Sequence, residues 1–278
     1  MSGGASLGRW ESSAGETIKS VEPGPTKYIK CDMDRQSARA SRIVRGHRTV
    51  TTTGADVTAS YRPVPYAFER YGPDEMRRRA RSWYAEMDRR RSVRQFSTEP
   101  VPRELIAEAI RSAGTAPSGA HMQPWTFVVV GDPGLKAEIR RAAEAEEREF
   151  YGRRAPDAWL EALAPLGTDA VKTHITDAPY VIELFRHRHG LDADGGRRPY
   201  YYTSESCGIA AGLFIAAVHH MGLATLPHTP SPMGFLADLL DRPPNEQAFL
   251  LLPVGYPAHD AVVPDITRRT LDEISVWL

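Results

Sequence analysis

Apolar residues recur at helical spacing through much of the chain after residue 64. A helix is predicted after Gly72-Pro73-Asp74, because proline is favoured in a first helical turn and acidic side chains suit that end of a helix. Another is predicted after Val101-Pro102, with Gly114 at its C-cap. The same spacing predicts further helices from residue 133, over residues 159–163, over residues 170–175, and over residues 200–221.

Continuous apolar runs bounded by turn residues predict buried strands at residues 125–130, 179–185, 224–226 and 249–254. The second of these runs contains an unexpected charge, Glu183. Residues 187–199 are rich in Gly, Arg and His and predict a loop, in which His187 and His189 are expected to be solvated. No Gly-x-Gly-x-x-Gly motif follows a predicted strand, which argues against a Rossmann dinucleotide domain.

Residues 1–64 lack a sustained apolar period and mix Gly, Ser, Thr and Pro with both charges. Such a segment cannot bury enough apolar surface to fold alone, so a largely disordered or extended N-terminal arm is predicted. The folded catalytic domain is expected to span residues 65–278, a length that can bury one core of ordinary size.

Composition excludes several classes of partner. The 35 Lys and Arg residues balance 35 Asp and Glu residues, so no overall field draws the chain to nucleic acid or anionic lipid. Cys31 and Cys207 belong to no metal-ligand spacing and no disulfide framework, so no metal is expected and a reducing, cytoplasmic location is predicted. No window approaches the roughly 20 apolar residues of a membrane span, so no membrane association is expected.

The chemistry is concentrated in residues 90–94, Arg-Arg-Ser-Val-Arg. Three guanidinium groups and a hydroxyl within this segment could hold a phosphate through paired hydrogen bonds. After the next predicted helix, the small residues at positions 117–120 would let backbone N–H groups approach a flat ligand closely. The alternative is a solvated helix face, which an isolated run of arginines usually forms.

This pair of motifs resembles the flavin-binding opening of the nitroreductase superfamily: Arg-Arg-Ser-Val-Arg followed by Phe96, then Ala-Pro-Ser-Gly-Ala-His before Pro124-Trp125. Within that superfamily the likeness is to the iodotyrosine deiodinases, from about Arg89 to Leu278. The resemblance implies a nitroreductase-like α+β fold, with a central mixed β-sheet surrounded by helices. It also implies an intertwined homodimer with flavin at the subunit interface, in which the tail from Ala261 crosses to the second subunit.

The same resemblance implies that FMN is the cofactor. Arg90 and Ser92, helped by Arg268 from the tail, would hold its phosphate and ribityl chain. Arg94 would stabilise negative charge on the reduced ring. Thr229 would place a hydroxyl near the flavin N5 atom, where animal relatives carry three threonines and this chain reads Pro-His-Thr. The implied FMN-binding residues are Arg90, Arg91, Ser92, Arg94, Pro117, Ser118, Pro227, His228, Thr229 and Arg268.

A halotyrosine carries an ammonium and a carboxylate, so its recognition requires a carboxylate together with a cation and a hydroxyl. Glu147 and Tyr151 lie four residues apart on a predicted helix and share a face, and Lys172 comes from the next helical segment. In the resembled family these three clamp the zwitterion, and the backbone N–H at Ala120 binds the phenolate oxygen. Thr229 and Ala120 are the implied catalytic positions. The neighbouring acids Glu144, Glu146 and Glu149 are expected to be solvated.

The implied activity is reductive dehalogenation of halotyrosines, from iodotyrosine to tyrosine and iodide, with reduced FMN as electron donor. A reductase or NAD(P)H would supply the electrons. One alternative keeps the fold and reduces nitroaromatics or quinones with NAD(P)H, which would leave Glu147 and Lys172 with a merely structural role. Another alternative is a flavin-binding or halotyrosine-binding protein without turnover, with residues 1–64 as an interaction arm.

Overall fold

The computed structural model describes residues 61–192 and 194–278. The predicted N-terminal arm therefore lies outside the described residues as far as residue 60. The chain divides into two units, Met1–Ala67 and Phe68–Leu278. In the first unit, the described residues 61–67 form neither helix nor strand. All the elements described below belong to the second unit.

The strands are β1 (Trp125–Val130), β2 (Tyr180–His187), β3 (His189–Leu191), β4 (Arg197–Pro199), β5 (Ala224–Thr225) and β6 (Glu246–Gly255). Four of them form an antiparallel sheet in the order β1-β2-β6-β5, while β3 and β4 pair as a hairpin. The family resemblance implies a mixed sheet. Among the described residues, however, the only parallel pairing is one bridge between Ser92 and Thr225. At this bridge the Val93 N–H donates to the Thr225 carbonyl of the edge strand β5 at 3.3 Å.

The α-helices among the described residues are α1 (Pro73–Asp88), α2 (Arg103–Gly114), α3 (Pro133–Glu149), α4 (Asp157–Leu163), α5 (His174–Asp177), α6 (Thr203–His220), α7 (Gly234–Leu239) and α8 (Leu271–Ile274). Proline stands in the first turn of α1 and of α3, where its missing N–H costs no helical bond. The Asp132 side chain caps α3 by accepting from the Leu135 N–H at 2.7 Å. None of these described helices has the length and apolar character needed to cross a membrane.

Helices cover both faces of the sheet because residues along β2 alternate between the two faces. Ile182 faces a cluster that α2 and α6 complete with Ile106 and Phe214. Val181 and Phe185 face the opposite cluster, to which α3, α5 and α7 contribute. Each of these side chains is fully buried, and burying a side chain of this size contributes about 1.5–3 kcal/mol. The two clusters therefore hold the sheet firmly between two layers of helices.

Local sequence patterns misplace some features of this fold. A loop is predicted for residues 187–199, but β3 and β4 form a hairpin there, because backbone pairing across a turn leaves no apolar period. His187 is not solvated as expected, since its Nε2 lies 2.8 Å from Thr126 Oγ1 and 3.3 Å from Glu246 Oε1. Gly114 is the last helical residue of α2, and Thr115 takes the C-cap position.

Apolar side chains of the second unit remain exposed on α6 and in the C-terminal tail. Ile209 and Leu213 on α6 are 46% and 37% exposed in the single chain. The exposed tail residues are Leu271, Ile274, Val276 and Trp277. Exposed groups of this kind are typical of contact with another protein surface.

Candidate active site

The arginine segment that follows α1 lines a cleft of about 200 Å³. Helix α1 ends at Asp88, so residues 90–94 are not part of a helix face, and all of them are partly buried. The solvated-face alternative is therefore wrong for this segment. The cleft is lined by Arg90, Arg91, Ser92, Arg94, Leu166, Pro264, Ile266, Thr267 and Arg268.

The C-terminal tail is hydrogen-bonded to the end of α1 and to the residues that follow it. The Arg268 guanidinium donates to the Asp88 carbonyl at 3.0 Å, to the Asp88 carboxylate at 3.1 Å and to the Arg90 carbonyl at 2.6 Å. The Arg91 guanidinium donates to the Pro264 carbonyl oxygen. These contacts bring Arg268 to Arg90 within one chain. As far as Arg268 the tail therefore lies against its own subunit, where the resemblance implies that it crosses to a second subunit from Ala261.

The charges of this cleft favour an anion. Burial lowers the pKa of Arg90, and the neighbouring charges of Arg268 and Arg91 lower it further. Within residues 68–278, no carboxylate lies at ion-pair distance from Arg90. Asp88 offsets the charge of Arg268, but the charges of Arg90 and Arg91 remain side by side, and a bound anion such as a phosphate would stabilise them. The residues present therefore fit the phosphate end of a cofactor such as FMN.

A second cleft of about 460 Å³ adjoins the first, and Arg94 and Leu166 line both. Burial lowers the pKa of Arg94, although Tyr151 nearby opposes the shift. The second cleft is also lined by Glu147, Tyr151, Lys172, Pro227, His228 and Thr229. The side chains predicted to clamp a zwitterion thus meet beside those predicted to face the flavin ring.

Glu147 and Lys172 form a buried ion pair at the base of the second cleft. The Lys172 Nζ lies 3.4 Å from Glu147 Oε2, and the two side chains are only 4% and 10% exposed. A helix over residues 170–175 is predicted to contain Lys172, but α5 begins only at His174, so the prediction is wrong for Lys172. Its position is set instead by its backbone N–H, which donates to Glu144 Oε1 at 2.9 Å, and by Nζ, which donates to the Asp169 carbonyl.

The protonation states of this group suit a zwitterionic ligand. Burial raises the pKa of Glu147, but the hydrogen bond from His228 and the charge of Lys172 outweigh burial and hold that pKa below its usual value. Burial lowers the pKa of Lys172, and Glu147 opposes the shift. The cleft therefore presents a carboxylate and a cation that are both partly stripped of water, which strengthens their interaction with ligand charges.

Two histidines extend this group into the protein interior. His228 Nε2 lies 3.1 Å from Glu147 Oε1, and His228 Nδ1 lies 3.3 Å from His174 Nε2. Burial, followed by the positive groups nearby, lowers the pKa of His174 to about 3. The sequence offers no signal for His174, which carries no motif and joins the site only through the packing of α5. His228 is expected as a cofactor ligand, but both of its ring nitrogens and its backbone N–H, which donates to Leu251, are engaged within the chain.

Aromatic side chains cover one side of the second cleft. The ring of Phe150 meets those of Trp159 and Tyr151 edge-on, with centroid distances of 5.0 Å and 5.4 Å. Phe150 and Tyr151 begin a π-helical turn, Phe150–Arg154, that continues α3. Tyr151 stays within reach of the ion pair, with Lys172 Nζ 5.6 Å from its ring centroid. This cover gives the cleft an apolar wall suited to an aromatic ligand.

The predicted residues Pro117, Ser118 and Ala120 line neither cleft of the single chain. Their loop is fastened to α6 instead, since the Gly119 N–H donates to Ser206 Oγ at 3.3 Å. Ala120 has a φ of 48°, a left-handed conformation that is uncommon for a non-glycine residue. One copy of the chain therefore does not bring these three residues together with the other predicted site residues.

A model of the nitroreductase family matches residues 87–256. The chain belongs to the nitroreductase family. It is 52% identical over 206 residues to an iodotyrosine deiodinase of Haliscomenobacter hydrossis, and the alignment covers 74% of this chain and 93% of that protein. It is 43% identical over 235 residues to an iodotyrosine deiodinase of Nematostella vectensis, covering 84% and 89% of the two chains.

A solved structure of oxidized iodotyrosine deiodinase bound to FMN and 3-iodo-L-tyrosine superposes on this nitroreductase-family chain. The TM-score is 0.60 at 28% sequence identity, and the superposition covers 70% of this chain and 100% of that one. The predicted family and fold are thereby confirmed. The family match includes Glu147, Lys172 and Thr229, whereas Arg268 lies beyond its last residue.

The acidic end of α3 is less exposed in this member of the nitroreductase family than its sequence suggests. Glu149 is exposed, as predicted, and Glu146 is partly exposed and pairs with Arg154 at 2.9 Å. Glu144 is not solvated: its side chain is 17% exposed and pairs with Arg140 at 2.7 Å. The prediction fails there because Glu144 accepts the Lys172 backbone N–H and so helps to position the ion pair.

Gly119 should tolerate no side chain in this nitroreductase-family loop. A Cβ atom at this position would lie 2.6 Å from the Tyr201 carbonyl oxygen and 3.1 Å from the Tyr202 ring. We expect Gly119→Ala to lower the free energy of unfolding by about 1–3 kcal/mol, the usual cost of overpacking. Urea denaturation of the variant measures this loss. Gly208→Ala, where a Cβ meets nothing within 4 Å, is the matched control, and equal stability of both variants would contradict the prediction.

Proposed function

We propose that this chain is an FMN-dependent reductive dehalogenase of halotyrosines that acts as a homodimer. The observation that carries the proposal is the meeting of Glu147, Tyr151 and Lys172 in one partly enclosed cleft beside the arginine cleft. The similarity to iodotyrosine deiodinases, one of them with FMN and iodotyrosine bound, supports it. A carboxylate, a hydroxyl and a cation around an apolar wall match an aromatic amino acid in both charge and shape.

Arg90, Arg91, Ser92 and Arg268 would hold the FMN phosphate in the first cleft. Arg94, which lines both clefts, would stand next to the ring, where a cation stabilises the reduced form. Pro227 and Thr229 would line the same region, and the exposed Thr229 leaves its hydroxyl accessible to the ring. When bound, reduced FMN supplies the two electrons of the reaction.

In the second cleft, Glu147 would pair with the ammonium of the substrate, and Lys172 with Tyr151 would bind its carboxylate. The net reaction breaks the carbon–iodine bond and forms a carbon–hydrogen bond at the same ring position. Two electrons and one proton enter the product, and iodide leaves. Tight binding of the zwitterion, remote from the reacting carbon, would hold the ring in place for this step and exclude water.

A second copy of the chain would complete the site. The loop with Pro117, Ser118 and Ala120 lines neither cleft of its own chain, so it would serve the clefts of the partner, with the Ala120 N–H on the phenolate. The exposed apolar groups of α6 and of the tail, among them Ile209 and Trp277, give such a partner a surface to cover. A reductase or NAD(P)H would be the source of electrons.

Anaerobic stopped-flow absorbance tests the proposal. Chemically reduced, FMN-loaded protein mixed with 3-iodotyrosine should show reoxidation of the flavin, with one tyrosine and one iodide formed for each flavin oxidised. A nitroaromatic substrate serves as the comparison. Flavin that stays reduced with iodotyrosine while it reduces the nitroaromatic rapidly would overturn the proposal in favour of a general nitroreductase.

A further inference from the structure

His228 is joined to the ammonium-binding carboxylate by a chain of hydrogen bonds. Glu147 Oε1 faces His228 Nε2 at 3.1 Å, while Glu147 Oε2 faces Lys172 Nζ at 3.4 Å. On its other side, His228 Nδ1 faces His174 Nε2 at 3.3 Å. The backbone of His228 is held as well, because its N–H and carbonyl both bond with Leu251 at 2.9 Å. The imidazole of His228 thus has little freedom to turn.

The chemistry of these groups determines the direction of each bond. An ionised Glu147 can only accept, so His228 must donate to it from Nε2. A neutral His228 then carries its acceptor on Nδ1, which requires His174 to donate from Nε2. Burial lowers the pKa of both histidines, which agrees with neutral rings near pH 7. In both hydrogen bonds of the His228 ring, the donor and the acceptor are therefore defined.

The two carboxylate oxygens of Glu147 therefore have different partners. Oε1 accepts a hydrogen bond from His228, and Oε2, which faces Lys172, is the oxygen that a ligand ammonium would share. A carboxylate fixed at one oxygen loses little conformational freedom when its other oxygen binds a cation. Without that bond, the charge of Glu147 would be buried with one partner fewer, which is costly in a low-dielectric site.

We infer that His228 is a positioning residue for amino-acid recognition: it orients Glu147 toward the ammonium of the substrate, with His174 fixing its tautomer. The inference rests on the proposed function and adds to it a residue that acts through its hydrogen bond to Glu147. It also reassigns His228, which the family resemblance implies as a cofactor ligand. Because it acts through Glu147 alone, its effect is specific for ligands that carry an ammonium group.

The test compares variants at position 228 that keep or remove the bond to Glu147. In His228→Gln, the side-chain amide N–H₂ can reach the position of Nε2 and donate to Glu147. In His228→Asn, the shorter amide reaches only the side of His174. His228→Leu removes both contacts. Asn and Leu therefore share the loss of the Glu147 bond while they differ in polarity and size, so a folding defect in one does not prevent the test.

The ligands are 3-iodo-L-tyrosine and 3-(3-iodo-4-hydroxyphenyl)propanoate, which keeps the carboxylate, phenol and iodine and lacks the ammonium. Their Kd values are measured with the oxidised, FMN-loaded dimer by titration of the flavin absorbance. We expect His228→Asn and His228→Leu to bind iodotyrosine roughly 10-fold or more weakly, the effect of a lost hydrogen bond to a charged group. Binding of the propanoate should change less than about 3-fold, and His228→Gln should resemble the unmodified protein with both ligands.

Equal losses for the two ligands in the Asn and Leu variants would show that His228 only supports the shape of the cleft, and would overturn the inference. Iodotyrosine affinity retained in both variants, or lost equally in His228→Gln, would also overturn it. Failure of the proposed function has a different signature. In that case the unmodified protein itself would show no preference for iodotyrosine over the propanoate, before any variant is considered.

Discussion

Replacing Lys172 with methionine should raise the Kd for 3-iodotyrosine at least about 30-fold and leave FMN bound. Removing one partner of a buried charge pair costs about 2–5 kcal/mol, and 1.4 kcal/mol is a factor of ten. Lys172 is 3% exposed, so water cannot replace its charge. The variant would leave the substrate carboxylate with only the Tyr151 hydroxyl. Methionine keeps the length of the side chain, which limits the loss of packing.

Flavin absorbance measures both quantities, through the Kd of the ligand and the FMN content of the purified protein. Lys136→Met is the matched control, because Lys136 is also a buried lysine, held by the Thr176 and Ala178 carbonyls. That variant should lose stability but keep its affinity for iodotyrosine. Loss of FMN from Lys172→Met with unchanged substrate affinity would place Lys172 in the cofactor site and contradict the prediction.

Replacing Glu183 with leucine should raise the free energy of unfolding by about 1–3 kcal/mol at pH 5, the cost of a buried polar group without a partner. Glu183 lies in the middle of β2, is 1% exposed, and neither of its carboxyl oxygens makes a hydrogen bond in the described structure. The Phe249 backbone N–H favours the charged form, but burial outweighs it and raises the pKa of Glu183. Leucine would join Val181 and Phe185 in the apolar cluster on that face.

The gain from Glu183→Leu should increase between pH 5 and pH 8. Burial raises the pKa of Glu183 well above 4.5, so the folded protein holds a proton that the unfolded chain releases above that pH. The contribution of a protonated Glu183 to stability is therefore lost as pH rises through this range. Thermal denaturation at several pH values measures the effect, at about 2–4 °C per kcal/mol for a chain of this size.

Glu183→Gln separates the two causes of this instability. Glutamine removes the titrating group but keeps a buried polar side chain, so it should abolish the part of the pH dependence that Glu183 contributes and recover only part of the stability at pH 5. A leucine variant that is less stable than the unmodified protein at every pH would mean that Glu183 has a partner that favours its presence. A gain that does not vary with pH would mean that Glu183 is ionised in the folded protein.

Glu183 also shows where sequence and structure agree most closely. Its run of apolar neighbours predicts a buried strand, and β2 is that strand, because an extended segment with apolar residues on both faces can only be covered by helices on both sides. The strand over residues 125–130 follows the prediction to the residue, and the helix predicted from Pro133 begins at that residue. Such elements depend on neighbours within a few positions, which the sequence contains in full.

The proposed ligand-binding residues fall into two groups. Glu147 and Tyr151 share a helix face by spacing alone, and residues 90–94 carry their charges side by side, so these could be found from the sequence. The meeting of Arg90 with Arg268 could be expected only through family resemblance, since contacts between distant segments depend on how the sheet and helices pack. The bond between His174 and His228 had no signal of either kind.

The sequence by itself determined the longer helices and the strands of the four-stranded sheet, and it predicted an anion site at the arginine segment, because each of these rests on residues close together in the chain. Only the tertiary structure decided that Lys172 lies in a loop, that two histidines contact each other beside Glu147, and that the loop at residues 117–120 lies apart from both clefts. These depend on burial and on long-range hydrogen bonds. Their geometry arises when separate helices and strands pack together, so no local sequence pattern predicts it.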